Sequence, residues 1–233
     1  MQGMEFLIGF AIVALIVTGI WLAHAYEKKR REEFEALARE LGWRFEAEGS
    51  DTADMACFEH FARGHSQRAL ATLHGEVTIG QERWPAQAGD YTYKVTSGAG
   101  KNRRTTTYRF TYVIVRTPFA RLPDLVVRPE GLFDKLAGVF GFDDIDFESE
   151  EFSRKYHVKS ADKRFAYDVL HPRMLQMLLA SKPHEIALAT GRCLYYDGTR
   201  RWKAEEVREA LRFLDRFFEL WPEHLVRELR SRT

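Results

Sequence analysis

Residues 6–26, FLIGFAIVALIVTGIWLAHAY, run without a formal charge between Glu5 and Glu27. As a helix rising about 1.5 Å per residue the stretch covers about 31 Å, the thickness of a bilayer's hydrocarbon core. It is expected to be a transmembrane helix, with residues 1–26 as the anchor. A cleaved secretory signal is the competing reading, because Ala23-His24-Ala25 fits a small-x-small cleavage site. Against it, an acid and no cation precede the apolar run, and Lys28-Lys29-Arg30-Arg31 follows it in the manner of a stop-transfer signal.

Those four cations set the expected orientation. Positive charge beside a span stays cytoplasmic, which puts the N-terminus outside and the rest of the chain in the cytoplasm. Trp21 and Tyr26 lie at the cationic end, where amphipathic rings anchor at the interface. Trp21, Tyr26, Lys28, Lys29, Arg30 and Arg31 are therefore candidate bilayer contacts, each cation adding about 1 kcal/mol near anionic headgroups. In that compartment thiols stay reduced, so Cys57 and Cys193 are expected free and buried.

Residues 27–42 continue as a juxtamembrane amphipathic helix. Phe34, Leu37, Ala38 and Leu41 fall at i, i+3, i+4 and i+7, and Gly42 stands as the terminator. The stripe has to dock, either on the chain's own domain or, by self-association or with a protein partner, on another membrane protein. Packing on its own domain is the preferred reading, since single stripes of this kind are ordinarily core.

Residues 43–233 read as one cytoplasmic α+β domain with a mainly antiparallel sheet and packed helices. Strands are expected at 43–46, 69–72, 76–83, 91–96, 105–116 and 124–127, rich in aromatic and β-branched residues and separated by short turns. Along the longest, Tyr108, Phe110, Tyr112 and Ile114 make an aromatic face; Arg109, Thr111, Val113 and Val115 make a second that turns apolar only toward its end. Further on, a short helix is expected over 131–140, and another capped by Ser149, followed by extension over 157–159. Pro172 opens a helix to about Ser181, a hairpin spans Glu185 to Tyr196, and a last helix runs from near Ala204 and ends before Pro222.

Chemistry-bearing patterns are few. Thirty-five Lys and Arg balance 34 Asp and Glu, without the basic excess that phosphate backbones demand, so no nucleic-acid partner is expected. Ser97-Gly98-Ala99-Gly100-Lys101-Asn102 lacks the earlier glycine of a phosphate loop, Val95 standing in its place, and reads as a hairpin tip. Cys57, His60, His65 and His74 have no closed zinc spacing. The acids from Asp143 to Glu151 have Ser149 and Lys155 where a calcium loop needs Gly and Glu. No cofactor, metal or catalytic residue is assigned.

Charge segregation is the remaining signal. Between Tyr91 and Pro123 lie seven cations and no acid: Lys94, Lys101, Arg103, Arg104, Arg109, Arg116 and Arg121. Asp143, Asp144, Asp146, Glu148, Glu150 and Glu151 are six acids within nine residues. The two runs are expected to neutralise each other; otherwise Lys101, Arg103 and Arg104 on the basic hairpin meet anionic headgroups or an acidic partner.

The stretch FSRKYHVKSADKRFAYDVLHPRMLQML, Phe152 to Leu178, resembles a family of bacterial membrane-anchored proteins classified as a domain of unknown function. The resemblance is carried by Phe152, Tyr156, Val158, Ser160, Asp162, Ala166, Val169, Leu170, Pro172, Met174 and Leu178, with a weaker match over Ile186 to Tyr196. It implies a bacterial source and supplies no activity, cofactor or catalytic residue. The expected function is a membrane-anchored cytoplasmic binding or scaffolding module in the bacterial inner membrane. The alternative is a membrane-anchored hydrolase, which requires His171 or His65 beside a carboxylate in a deep pocket.

Overall fold

The computed structural model describes residues 2–49, 53–130, 144–198 and 200–232. The helix expected over 131–140, and Asp143, lie outside them. Helix α1 (Gln2–Leu41) is unbroken from the apolar run into the amphipathic one. Its N-terminal part is apolar and bare: Phe10, Leu15, Ile16, Ile20, Trp21 and Leu22 are each more than half exposed. One helix is thus long and apolar enough to cross a membrane. The last turns behave oppositely, with Phe34, Leu37 and Ala38 fully covered. Gly42 takes φ +69°, a left-handed terminator that a side chain would strain, and the chain turns into the sheet.

The sheet is α+β in the expected sense and antiparallel throughout. It is built from β1 (Arg44–Gly49), β2 (His65–Ile79), β3 (Glu82–Ser97), β4 (Arg104–Arg116), β5 (Leu125–Pro129), β6 (Tyr156–Ser160), β7 (Glu185–Ala189) and β8 (Arg192–Tyr196). The spatial order is β1-β2-β3-β4-β8-β7-β5-β6. The first four strands form a meander by sequence neighbours, whereas the β7–β8 hairpin inserts between β4 and β5.

Several boundaries differ from the expected ones. The segment 76–83 is not one strand, because Gly80 and Gln81 turn the chain and Ile79 pairs with Glu82 across the bend. Strand β2 begins well before Ala69, carried through polar residues by its pairing with β3. Two short helices escape the apolar-periodicity reading: α3 (Lys163–Val169), capped by the Asp162 carboxylate accepting from the Phe165 amide, and α6 (Glu223–Ser231), which starts after Pro222. The others fall as expected: α2 (Glu150–Lys155) with the Ser149 hydroxyl as its cap, α4 (Pro172–Ala180) and α5 (Ala204–Glu219).

Two cores lie on opposite faces of the sheet. Helices cover the first: Phe34 and Leu37 of α1, Met174 and Leu178 of α4 and Leu214 and Phe217 of α5 pack with Ala88, Val113, Val115 and Tyr195. Residues 53–62 strap the second, placing Met55, Phe58 and Phe61 over Tyr91, Phe110, Tyr112 and Tyr196. Alternation along β4 therefore feeds both faces, which is why Thr111 is as buried as Tyr112.

Candidate membrane-facing site

The exit of α1 from its apolar span is where the structure gathers charge. Arg30 is nearly fully buried and faces Asp90 of β3 as a two-pronged ion pair: Nε donates to Oδ2 and Nη2 to Oδ1, the latter at 2.6 Å. Thr111 on β4 completes the set. Its hydroxyl donates to Asp90 Oδ1 at 2.6 Å and accepts from Arg30 Nη2 at 3.1 Å and from the Trp202 amide at 2.8 Å. The Arg30 guanidinium also lies 4.5 Å from the Phe34 ring centre. Arg201 adds a second cation, 2.8 Å from Glu27 and 3.7 Å from Asp90, and covers the Tyr26 ring; Arg109 reaches Glu27 at 3.5 Å.

This corrects the expectation for Arg30. It is not a headgroup contact, because residues 30, 34, 37, 38 and 41 share one helix face and that face is buried. Four residues before Phe34, Arg30 continues the stripe, and that phase was the available signal. Lys28, Lys29 and Arg31 do point outward; Lys28 and Lys29 sit 3.9 Å from Glu32 and Glu33, one turn on. The same burial answers the docking question: the stripe is occupied by the chain's own sheet and is not free for self-association.

Lys101, Arg103 and Arg104 are exposed at the β3–β4 tip and make no ion pair among the described residues. The tip is a single turn of 3-10 helix over Gly100–Asn102 leading into a strand, as its reading against a phosphate loop requires. Among the described residues no ion pair joins the two charge runs, contrary to expectation. Asp144 pairs with Lys159 at 3.7 Å and Glu151 with Lys155 at 2.8 Å, while Arg116 goes to Asp54 at 2.8 Å.

A second buried constellation, unforeseen in the sequence, ties the strap to the far face. Glu185 is buried and takes His60 Nε2 at 2.6 Å, Arg128 Nε at 3.0 Å and the Tyr196 hydroxyl at 3.3 Å. Burial alone would raise its carboxyl, but the His60 and Arg128 charges and hydrogen bonds outweigh that and hold it below the usual carboxylate range. His60 Nδ1 is buried with no hydrogen-bond partner. Asp54 pins the start of the strap to Arg116 and Arg192. A lone carboxylate heading an apolar run, Glu185 before Ile-Ala-Leu-Ala, was the one trace of this in the sequence.

Among the described residues, the two histidines named for a hydrolytic centre are held as follows. His65 is exposed and bonds Ser66 and Thr96. His171 lines a groove of about 490 Å³ that also touches Glu148, but its Nε2 is held by the Leu220 carbonyl at 2.8 Å and the walls are Phe147, Tyr167, Leu170, Leu175 and Leu179. Cys57, His60, His65 and His74 do not converge, and no group of three or more His, Cys, Asp or Glu among the described residues can hold a metal. The two cysteines are free, with Cys193 in the helix-side core and Cys57, partly exposed, against the strap-side one.

No protein-family model matches the chain, and no curated protein matches it. Among solved structures it is similar to one described as the mycobacterial trehalose monomycolate transport factor A, TtfA, with a TM-score of 0.58 at 10% sequence identity over 82% of this chain and 96% of that one. The two share a fold.

Proposed function

We propose that the chain is a single-pass membrane protein, N-terminus outside, whose α+β domain is a binding or scaffolding module held at the cytoplasmic face of a bacterial inner membrane. One observation carries the reading: α1 passes from its bare apolar span into the domain core without a break, keyed by Arg30 against Asp90. A flexible linker would let a domain sample solution for its substrate. A continuous helix instead fixes the domain's height and heading over the bilayer, which suits the presentation of a surface to a partner in the same membrane. Lys28, Lys29 and Arg31 remain exposed after Arg30 is withdrawn, so the charge asymmetry that favours a cytoplasmic domain persists. The shared fold with a protein named for trehalose monomycolate transport supports a role in lipid transport at the membrane.

The test is membrane extraction followed by protection. The full chain should stay in the pellet through alkaline carbonate, and its domain should survive protease added to sealed, right-side-out spheroplasts. Release by carbonate removes the anchor, and digestion in intact spheroplasts reverses the orientation.

A further inference from the structure

We infer that the β3–β4 arm is a second membrane contact, a cationic prong that seats on the anionic phospholipid headgroups of the bilayer crossed by α1. The inference rests on α1 being the membrane anchor and adds where and how the domain itself touches lipid.

The direction of the arm follows from the order of its ties to α1. Glu27 meets Arg109, and one turn further into the domain Arg30 meets Asp90 and Thr111. Moving toward the membrane along α1 is therefore moving toward the tip along β4. A strand gains about 3.4 Å per residue where a helix gains about 1.5 Å. The five residues from Arg109 to Arg104 thus extend the arm by about 17 Å of strand past its tie to Glu27, on the side where α1 becomes apolar at Tyr26.

The arm is also unaccompanied there. Strand β2 stops opposite Lys94, and β8 pairs with β4 only from Tyr112 to Arg116, so beyond these levels β3 and β4 form a two-stranded ribbon, paired out to Ser97 and Arg104. Such a ribbon has little of its own to bury and is marginal in water unless something covers it. What it offers is positive: Lys94, Lys101, Arg103 and Arg104 are exposed, and no acid occurs between Tyr91 and Pro123. Its neighbours at the same end of the molecule are Lys28, Lys29 and Arg31. Cations from a helix and from a ribbon, exposed on the same side of the domain, match the negative potential of an anionic leaflet.

The experiment uses the full chain in phosphatidylcholine nanodiscs with and without phosphatidylglycerol. Cys57→Ser leaves only the buried Cys193, and a fluorophore is placed at Ala99→Cys on the arm or at Val17→Cys on the anchor. Headgroup-spin-labelled lipid should quench the Ala99 label several-fold more in anionic discs than in neutral ones, and high salt or the combined Lys101→Glu, Arg103→Glu and Arg104→Glu changes should abolish the difference. The Val17 label should be quenched by chain-labelled lipid in both compositions. Equal quenching of the Ala99 label in the two discs, whether high or low, overturns the headgroup assignment while a quenched Val17 leaves the anchor standing. An unquenched Val17 overturns the anchor itself, and the arm proposal with it.

Discussion

Arg30 and Asp90, 60 residues apart in the chain, meet as a buried two-pronged ion pair between the long N-terminal helix and the third strand of the sheet. Among the described residues Arg30 pairs with Asp90 and Thr111, whereas Asp90 also has Arg201 at 3.7 Å. Removing one partner of such a pair leaves a buried charge, at a cost of about 3 to 5 kcal/mol. The two deletions are not equivalent. Asp90→Ala strands Arg30, whereas Arg30→Ala leaves Asp90 with Thr111 and with Arg201 at 3.7 Å. Denaturant unfolding should rank Asp90→Ala as the more damaging, with the double mutant well short of the sum. Additive losses would show that the pair is not a unit.

The terminal turns of α1 belong to the fold and not to a tether. Phe34→Ala should cost about 3 kcal/mol by opening a cavity against the helix-side core. A chain beginning at residue 43 lacks Arg30, Phe34, Leu37 and Ala38 together, and is expected to lose its cooperative thermal transition in near-ultraviolet circular dichroism. A fully native spectrum from that truncation would mean the helix merely rests on the domain.

Acid should unfold the protein through particular carboxylates. Glu185 and Asp54 are held low because the charges and hydrogen bonds of their partners outweigh burial, and Arg200 draws Glu206 down from 4.5 to about 2. A carboxyl held low in the fold binds its proton more readily in the unfolded chain, so its stabilisation is full above the ordinary range and is lost as pH falls through it. His184, lowered from 6.5 by burial, begins the same loss at higher pH; Asp124, raised by burial, opposes it. Melting temperature should fall progressively below about pH 6 and steeply below about pH 4.5. A flat profile down to pH 3 would contradict these assignments.

The cysteines should behave unequally. Burial pushes both thiols up, and Cys193 is wholly enclosed while Cys57 is partly open. In a timed alkylation read by mass spectrometry, Cys57 should modify slowly and Cys193 only on global unfolding. The sheet lies between them, so no bridge between the two should form under oxidising conditions, and their redox state reports nothing about compartment.

At the end of the strap, Gly64 holds φ +63°, and a β-carbon there would stand 2.1 Å from the Lys94 carbonyl oxygen. Gly64→Ala combines a left-handed backbone with a clash against main chain, so a loss of at least about 2 kcal/mol is expected. Urea titration with stability retained would show that the strap reseats.

What the sequence determined by itself was what short-range physics controls. The apolar run of residues 6–26, the caps at Ser149 and Gly42, the helix opening at Pro172 and the alternation along β4 each depend on neighbours within a few residues. The site was half legible. Lys101, Arg103 and Arg104 were visible as a segregated charge run and do stand exposed, whereas Arg30, one of four adjacent cations, differed from Lys29 and Arg31 only in helical phase. Tertiary structure decided the rest. A carboxylate in β3 gives no local sign that it will meet a helix 60 residues earlier, nor Glu185 that it will face His60 across 125 residues. The insertion of β7 and β8 between β4 and β5 is likewise a choice among long-range pairings. Burial makes those partnerships strong, and burial exists only once the whole sheet has closed.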